Sequence, residues 1–274
     1  MSASPDRTTS HQTTSHQTNS HRTTSHGTRT ALVTGANKGI GRAIAEGLAE
    51  RGMTVLIGAR DPGLGEKAAA SLREAGHDGR AVALDVTDPA AVEAAARVIA
   101  ASPGRLDVLV NNAGISGGAL HLPDEADMDA VRRVFDTNLF GVMRVTNAML
   151  PLLRRAPAAR IVNISSGTSS MAAMTDPGHY FWAVPGSAAY PASKAALNML
   201  TIQYAKRLRQ EGILVNAAAP GACATDFAVD FTRASGRTIT RTAAQGAAVA
   251  IRLATLDGDG PTGGFFDDDG PVPW

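Results

Sequence analysis

TALVTGANKGIG, residues 30–41, decides the fold of this chain. The apolar run Thr30–Thr34 predicts a β-strand. Ile40, Ile44 and Leu48 then recur at helical spacing and predict a helix over Gly39–Arg51. Between them lies a turn with three glycines. Gly35 allows a tight bend, Gly39 lets backbone approach a pyrophosphate, and Gly41 permits close helix packing. Asn37, Lys38 and Ile40 complete the turn. The free N–H groups and positive potential of a helix N-terminus suit phosphate. Glycines between strand and helix also occur as plain turn chemistry, but their coincidence with this strand and this helix favours a dinucleotide. No Gly-Lys-Ser/Thr ending is present, which argues against a nucleoside-triphosphate loop.

Outward from this turn the pattern repeats. Strands are expected at 54–58, 80–84, 106–110, 160–165, 213–218 and 264–266. Helices are expected at 65–75, after Asp88-Pro89, around 128–150, from Tyr190, and at 243–254. Asp88 and Pro89 form a cap-plus-N1 signal. Unbroken apolar strands alternating with helices predict an α/β fold: one doubly wound domain, residues 30–274, with a parallel sheet covered on both faces.

Residues 1–29 differ in kind. From Thr8 the chain repeats TTSHQ, TTSHQ, TNSHR, TTSHG, placing His11, His16, His21 and His26 five apart. Such polar low complexity has little to bury and is expected to be a disordered tail. The spacing matches neither helix nor strand, and no cysteine or acid accompanies it, so no metal site is assigned.

Bulk properties bound the function. Hydrophobic residues make up 44 % of 274, ample for a core, and the net charge is +1. That balance points to neither nucleic acid nor an anionic membrane. One cysteine, Cys223, excludes an internal disulfide framework and fits a reducing compartment. No apolar run reaches the ~18–20 residues of a membrane span, and no secretory signal pattern opens the chain. The expectation is a soluble cytoplasmic protein.

The chemistry is expected at YPASK, residues 190–194. Four residues apart on a helix, Tyr190 and Lys194 share a face. A close cation should pull the phenol below its usual ~10, towards use as a general acid–base. The second strand ends Gly58-Ala59-Arg60-Asp61. Asp61 precedes Pro62 as a helix cap would, whereas Arg60 with Lys38 offers cations to a 2′-phosphate. NADP(H) is therefore expected over NAD.

Together TGANKGIG (34–41), LDV (84–86), NNAG (111–114), TNLFG (137–141), ISS (164–166), YPASK (190–194) and PGACATD (220–226) resemble the short-chain dehydrogenase/reductase family, in its carbonyl-reductase-like branch. The resemblance spans about residues 30–266 and implies a Rossmann fold. It implies that Asp85 and Val86 flank the adenine, that Asn111, Ala113 and Gly114 border the cofactor cleft, and that Pro220, Gly221 and Thr225 border the nicotinamide. Ser166, Tyr190 and Lys194 would form the catalytic group, with Asn138 positioning a water. Tyr190 would donate a proton to the substrate oxygen held by Ser166, and Lys194 would hold the nicotinamide ribose. Between Ser165 and Ser166, the second is preferred. Cys223 falls beside the expected substrate, with a redox role disfavoured.

One departure individualises the chain. Ser166 and Tyr190 stand 24 residues apart, about twice the family's usual separation, and the extra loop holds Met171, Met174 and the cluster His179-Tyr180-Phe181-Trp182. That cluster either lines a substrate pocket or packs the loop. The expected activity is hydride transfer between NADP(H) and a carbonyl compound or secondary alcohol of rather apolar character. A cofactor-binding sensor without catalysis, or an isomerase or dehydratase on the same fold, are the competing readings. Monomer, dimer and tetramer all stay open.

Overall fold

The computed structural model describes residue 1 and residues 28–118, 121–229, 232–233, 236 and 238–274. The tail repeats lie outside the described residues. Arg29, the last residue of the expected tail, already joins the domain, its carbonyl accepting the Thr54 N–H.

Seven strands form one parallel sheet: β1 (Thr30–Thr34), β2 (Thr54–Ala59), β3 (Gly79–Ala83), β4 (Val108–Asn111), β5 (Arg160–Ile164), β6 (Leu214–Ala218) and β7 (Phe265–Phe266). Their order is β3-β2-β1-β4-β5-β6-β7. Ala31 aligns with Val55 on one side and Val108 on the other. The chain reverses its direction of winding between β1 and β4, where such sheets open a crevice at the strands' carboxyl ends.

The helices divide by face. Helices α1 (Gly39–Ala49), α2 (Pro62–Glu74) and α8 (Ala243–Ala254) pack Ile44, Leu48, Leu72 and Val249 against the side of the sheet that carries Ala31 and Val33. The opposite side, carrying Leu32 and Leu109, meets α3 (Pro89–Ala101), α5 (Val142–Leu153) and α7 (Tyr190–Leu208). Alternation along β1 thus feeds two cores, and the wholly buried strands read as apolar runs for that reason.

Two local departures bear on the site. The helix expected around 128–150 is three pieces: α4 (Met128–Phe135), a π-helical stretch Asp136–Gly141, then α5. Wider π turns recur at functional sites, and this one carries Asn138. The loop after β5 contains a short helix, α6 (Met171–Thr175), and a 3-10 turn at Tyr180–Ala183.

Candidate active site

A cleft of about 1440 Å³ runs along the carboxyl ends of the strands. One end is the turn after β1. Gly35 has φ +64°, and a Cβ there would press on Ala113 Cα at 3.0 Å. At Gly41 a Cβ would fall 2.3 Å from Asn112 Nδ2, so only glycine lets α1 start this close to the loop after β4. Asn112 closes the joint, donating to the Thr34 and Gly35 carbonyls at 2.9 and 3.2 Å.

The start of α1 carries no side-chain cap. Asp61, Asp88 and Thr242 cap α2, α3 and α8 through their side chains, whereas the N-cap of α1, Lys38, makes no side-chain cap and no acid lies in the first turn. The N-terminus of α1 opens on the cleft. Uncapped N–H groups in that position are what a phosphate needs. The residues present therefore fit a dinucleotide.

Beyond the turn, Arg60 stands exposed at the end of β2. Asp61 Oδ1 accepts from Leu64 N at 3.0 Å, so it is occupied as a cap, as its place before Pro62 predicts. Asp85 accepts from the Thr87 amide and hydroxyl at 2.9 and 2.7 Å. Burial alone would raise its carboxyl. The Thr87 hydrogen bonds and the nearby Arg60 and Arg144 guanidinium groups outweigh that and hold it below the ordinary carboxylate value.

The floor of the cleft is the first turn of α7. Tyr190 faces the cleft beside Ser166, whose hydroxyl pairs with Thr168 Oγ1 at 2.9 Å. Lys194 lies beneath, 3 % exposed, its Nζ 5.8 Å from the Tyr190 ring centroid and donating to Ile164 O at 2.7 Å. Burial pushes the phenol up to about 12, with the Ser166 hydroxyl acting the other way, and burial pulls the ammonium down to about 8. The expected lowering of the phenol by its cation is thus not what the protein alone produces. Desolvation outweighs it, because the ammonium is held to Ile164 O and passes over the ring face rather than meeting the hydroxyl.

The two serines both border the cleft but are engaged differently. Ser165 is buried, bonding Asn198 Oδ1 at 2.6 Å and Ser169 Oγ at 3.1 Å. Ser166 turns into the cleft. Ser165, Ser169 and Asn198 form a closed triangle, and Ser169 also donates to the Ser166 carbonyl at 2.6 Å, tying β5 to α7. Asn198 was not among the expected site residues, although it falls four residues after Lys194 on the same face.

Two expected site residues sit elsewhere. The Asn111 side chain points into the interior, donating to Thr146 Oγ1 at 3.0 Å and Asn163 Oδ1 at 2.9 Å. It is Asn112 that borders the cleft. Asn138 is fully buried. Its amide donates to Ile115 O at 2.9 Å and Ser193 Oγ at 3.1 Å and accepts from Ile115 N at 2.9 Å. That side chain is spent on holding the loop after β4 to α7, so its NH2 donors are not available to position a water. Gly114 sits between, where a Cβ would meet Asn138 Oδ1 at 3.2 Å and Lys194 Nζ at 3.5 Å.

The remaining expected residues line the cleft: Gly35, Asn37, Lys38, Gly39, Ile40, Gly41, Arg60, Asp85, Val86, Ala113, Gly114, Pro220, Gly221 and Thr225. Lys38 reaches across the mouth to Asp226 at 2.8 Å, a pairing the sequence did not suggest. Phe227 packs on the Tyr190 ring at 5.5 Å. Of the aromatic cluster, His179, Tyr180 and Phe181 line the cleft while Trp182 is exposed. Burial pushes the Cys223 thiol up, so it lacks the thiolate character redox chemistry uses. No described helix is long and apolar enough to cross a membrane.

Known proteins share this architecture. The chain is 40 % identical over 209 residues to oxidoreductase UcpA of Escherichia coli K12, covering 76 % of this chain and 74 % of that one. A gluconate 5-dehydrogenase from Burkholderia cenocepacia, solved with NADP and tartrate, superposes with TM-score 0.75 at 30 % identity, over 87 % of this chain and 92 % of that one. A 3-ketoacyl-(acyl-carrier-protein) reductase from Brucella melitensis, solved with NADH, gives TM-score 0.75 at 27 % identity, over 88 % and 96 %. The short chain dehydrogenase family model matches residues 29–235. With that match laid over this sheet and this cleft, the chain belongs to the short-chain dehydrogenase/reductase family of nicotinamide-dependent oxidoreductases.

Proposed function

We propose that this protein is an NADP-dependent oxidoreductase interconverting a carbonyl compound and a secondary alcohol, with Tyr190 as general acid–base. The observation that carries this reading is the placement of Tyr190 and Ser166 together on the cleft lining with the Lys194 ammonium over the Tyr190 ring. A bound nicotinamide supplies the hydride. Ser166 holds the substrate oxygen. Tyr190 Oη passes it a proton, and a phenol raised to about 12 is fully protonated at neutral pH, which suits the reducing direction. Lys194 gives one of its three donors to Ile164 O and turns positive charge towards the cleft, where the nicotinamide ribose would lie. Asn138, holding Ile115 and Ser193, keeps the loop after β4 against α7.

The preference for the 2′-phosphate rests on the end of β2. Asp61 is engaged as a cap, while Arg60 is exposed and Lys38 lies close across the turn. The solved relatives include complexes with either nicotinamide cofactor, so this assignment leans on these residues alone.

Tyr190→Phe tests the reading. Turnover with NADPH should fall by about 10²–10⁴-fold, while NADPH affinity by fluorescence titration stays within about twofold of wild type, since the phenyl ring keeps its packing on Phe227. Retained turnover would overturn it.

A further inference from the structure

Two walls close the cleft beyond Tyr190, and neither belongs to the glycine turn. One is the loop after β5, which presents Met174, Phe181 and Val184; the other is the segment after β7, which presents Val272. Ser170, fully buried, joins them with a single hydroxyl. It donates to Pro273 O at 2.6 Å and accepts from Ala173 N at 3.1 Å, so the same atom starts α6 and ties it to the neighbouring segment. Ala172 N adds a bond to Trp274 O at 3.1 Å. That segment is itself anchored on the sheet: Val272 N donates to Phe265 O at 2.8 Å, and the Trp274 indole stacks on the Phe265 ring at 5.5 Å. The loop therefore stands against a strand-borne support.

Charge is the second observation. The described cleft-lining residues contributed by 166–187, 219–228 and 267–272 include no lysine or arginine. The two acids among them are engaged, Asp226 by Lys38 and Asp267 by the N–H groups of Asp269 and Gly270 at 2.9 and 3.2 Å. His179 Nδ1 accepts from Phe181 N. These segments offer a substrate carboxylate no cation of their own, Lys38, Arg133 and Lys194 lining other parts of the cleft, whereas apolar surface is well matched.

Building on the oxidoreductase reading, we infer that this end is a braced, predominantly apolar pocket for a neutral, apolar ketone or alcohol, for which a ring-bearing ketone serves as the probe, and that Ser170 is a positioning residue for substrate selectivity, acting through Met174 and Phe181. A panel with NADPH tests it: a small neutral ketone such as acetone, a ring-bearing neutral ketone, and the same ring bearing a carboxylate. Wild type should favour the neutral ring compound over its carboxylate by more than about tenfold in kcat/KM. Ser170→Ala and Trp274→Ala should each raise KM for the ring compound about five- to tenfold, leaving its kcat, the kinetics of the small ketone and the NADPH Kd unchanged. Ser170→Thr should restore the lower KM. Preference for the carboxylate, or a fall in kcat for every ketone alike in both variants, would overturn the inference. Calorimetric binding of the ring compound separates the two claims. Binding without turnover by wild type overturns the reaction and keeps the pocket; turnover of the small ketone with no gain from the ring overturns the pocket and keeps the reaction.

Discussion

The glycine-turn end of the cleft and the end beneath the β5 loop are made in different ways. At the first, the helix and turn starts are local devices, with Asp61 capping Leu64, Asp85 tying Thr87 and the turn of Gly35 and Gly41 following its strand directly, and Asn112 then joins that turn to the loop after β4. At the second, Ser170 meets Pro273 across 103 residues, and the wall exists only when β7 is in place. Local devices obey residue rules for caps, turns and helix starts. Long-range braces obey packing, which any of several serines could satisfy. On the proposed reading, a cofactor end built by rule beside a substrate end built by circumstance is a physical basis for one chemistry serving many substrates.

The sharpest break should come where the ends meet, at Lys194. Its charge is buried against the grain, so Lys194→Met should cost turnover about 10²–10⁴-fold yet raise unfolding stability by up to about 3 kcal/mol near pH 7. The pH dependence fixes the cause. In the wild type the folded ammonium releases its proton at about 8, against 10.5 for an unconstrained lysine. Between those values the unfolded chain holds more protons, so stability climbs with pH and then flattens. Tyr190 and Tyr204, both pushed up to about 12, act oppositely from pH 10 upward, and Lys194→Met retains them. The stability advantage of the variant should thus shrink as pH rises from 8 to 10.5, read by denaturant unfolding. A constant advantage would place the gain in packing rather than in charge.

A smaller effect tests the local end. Arg60→Asp should weaken NADPH relative to NADH by about ten- to hundredfold, the loss of one charge-assisted contact. Isothermal titration with both cofactors decides it, and an unchanged ratio would remove Arg60 from the 2′-phosphate.

The legibility of the sequence divides along the same line. The sheet, its winding and most helices follow from apolar periodicity, with α8 and β1 bounded as expected and β4 differing by two residues at its start. Asp61 and Asp88 were readable as caps because Pro follows each. Asn111 and Asn112 were not separable, since alternation sends one inward and one outward and nothing local says which. Asn138 carries an amide whose partners come from Ile115 and Ser193, outside its own element, so its bracing role needed the π turn to be seen. The direction of the Tyr190 shift was misread because desolvation depends on the whole fold, while the i, i+4 cation is visible in five letters.

The smallest expected effect probes the ion pair between the glycine turn and the segment after β6. Lys38 and Asp226 are both exposed, and such pairs contribute little to folding. Their interest lies in competition. Under the proposed NADP preference, Lys38 is one of two cations offered to a 2′-phosphate, and Asp226 holds it. A phosphate in reach of Lys38 must displace this carboxylate or share the ammonium with it, whereas a ribose hydroxyl need do neither. Asp226→Asn removes the rival charge while keeping the side chain's size. NADPH should then bind about two- to fivefold tighter, with NADH unmoved and both losing that difference in high salt. Equal changes for the two cofactors would mean that Asp226 acts on the mouth of the cleft as a whole, and Lys38 would lose its claim to the phosphate.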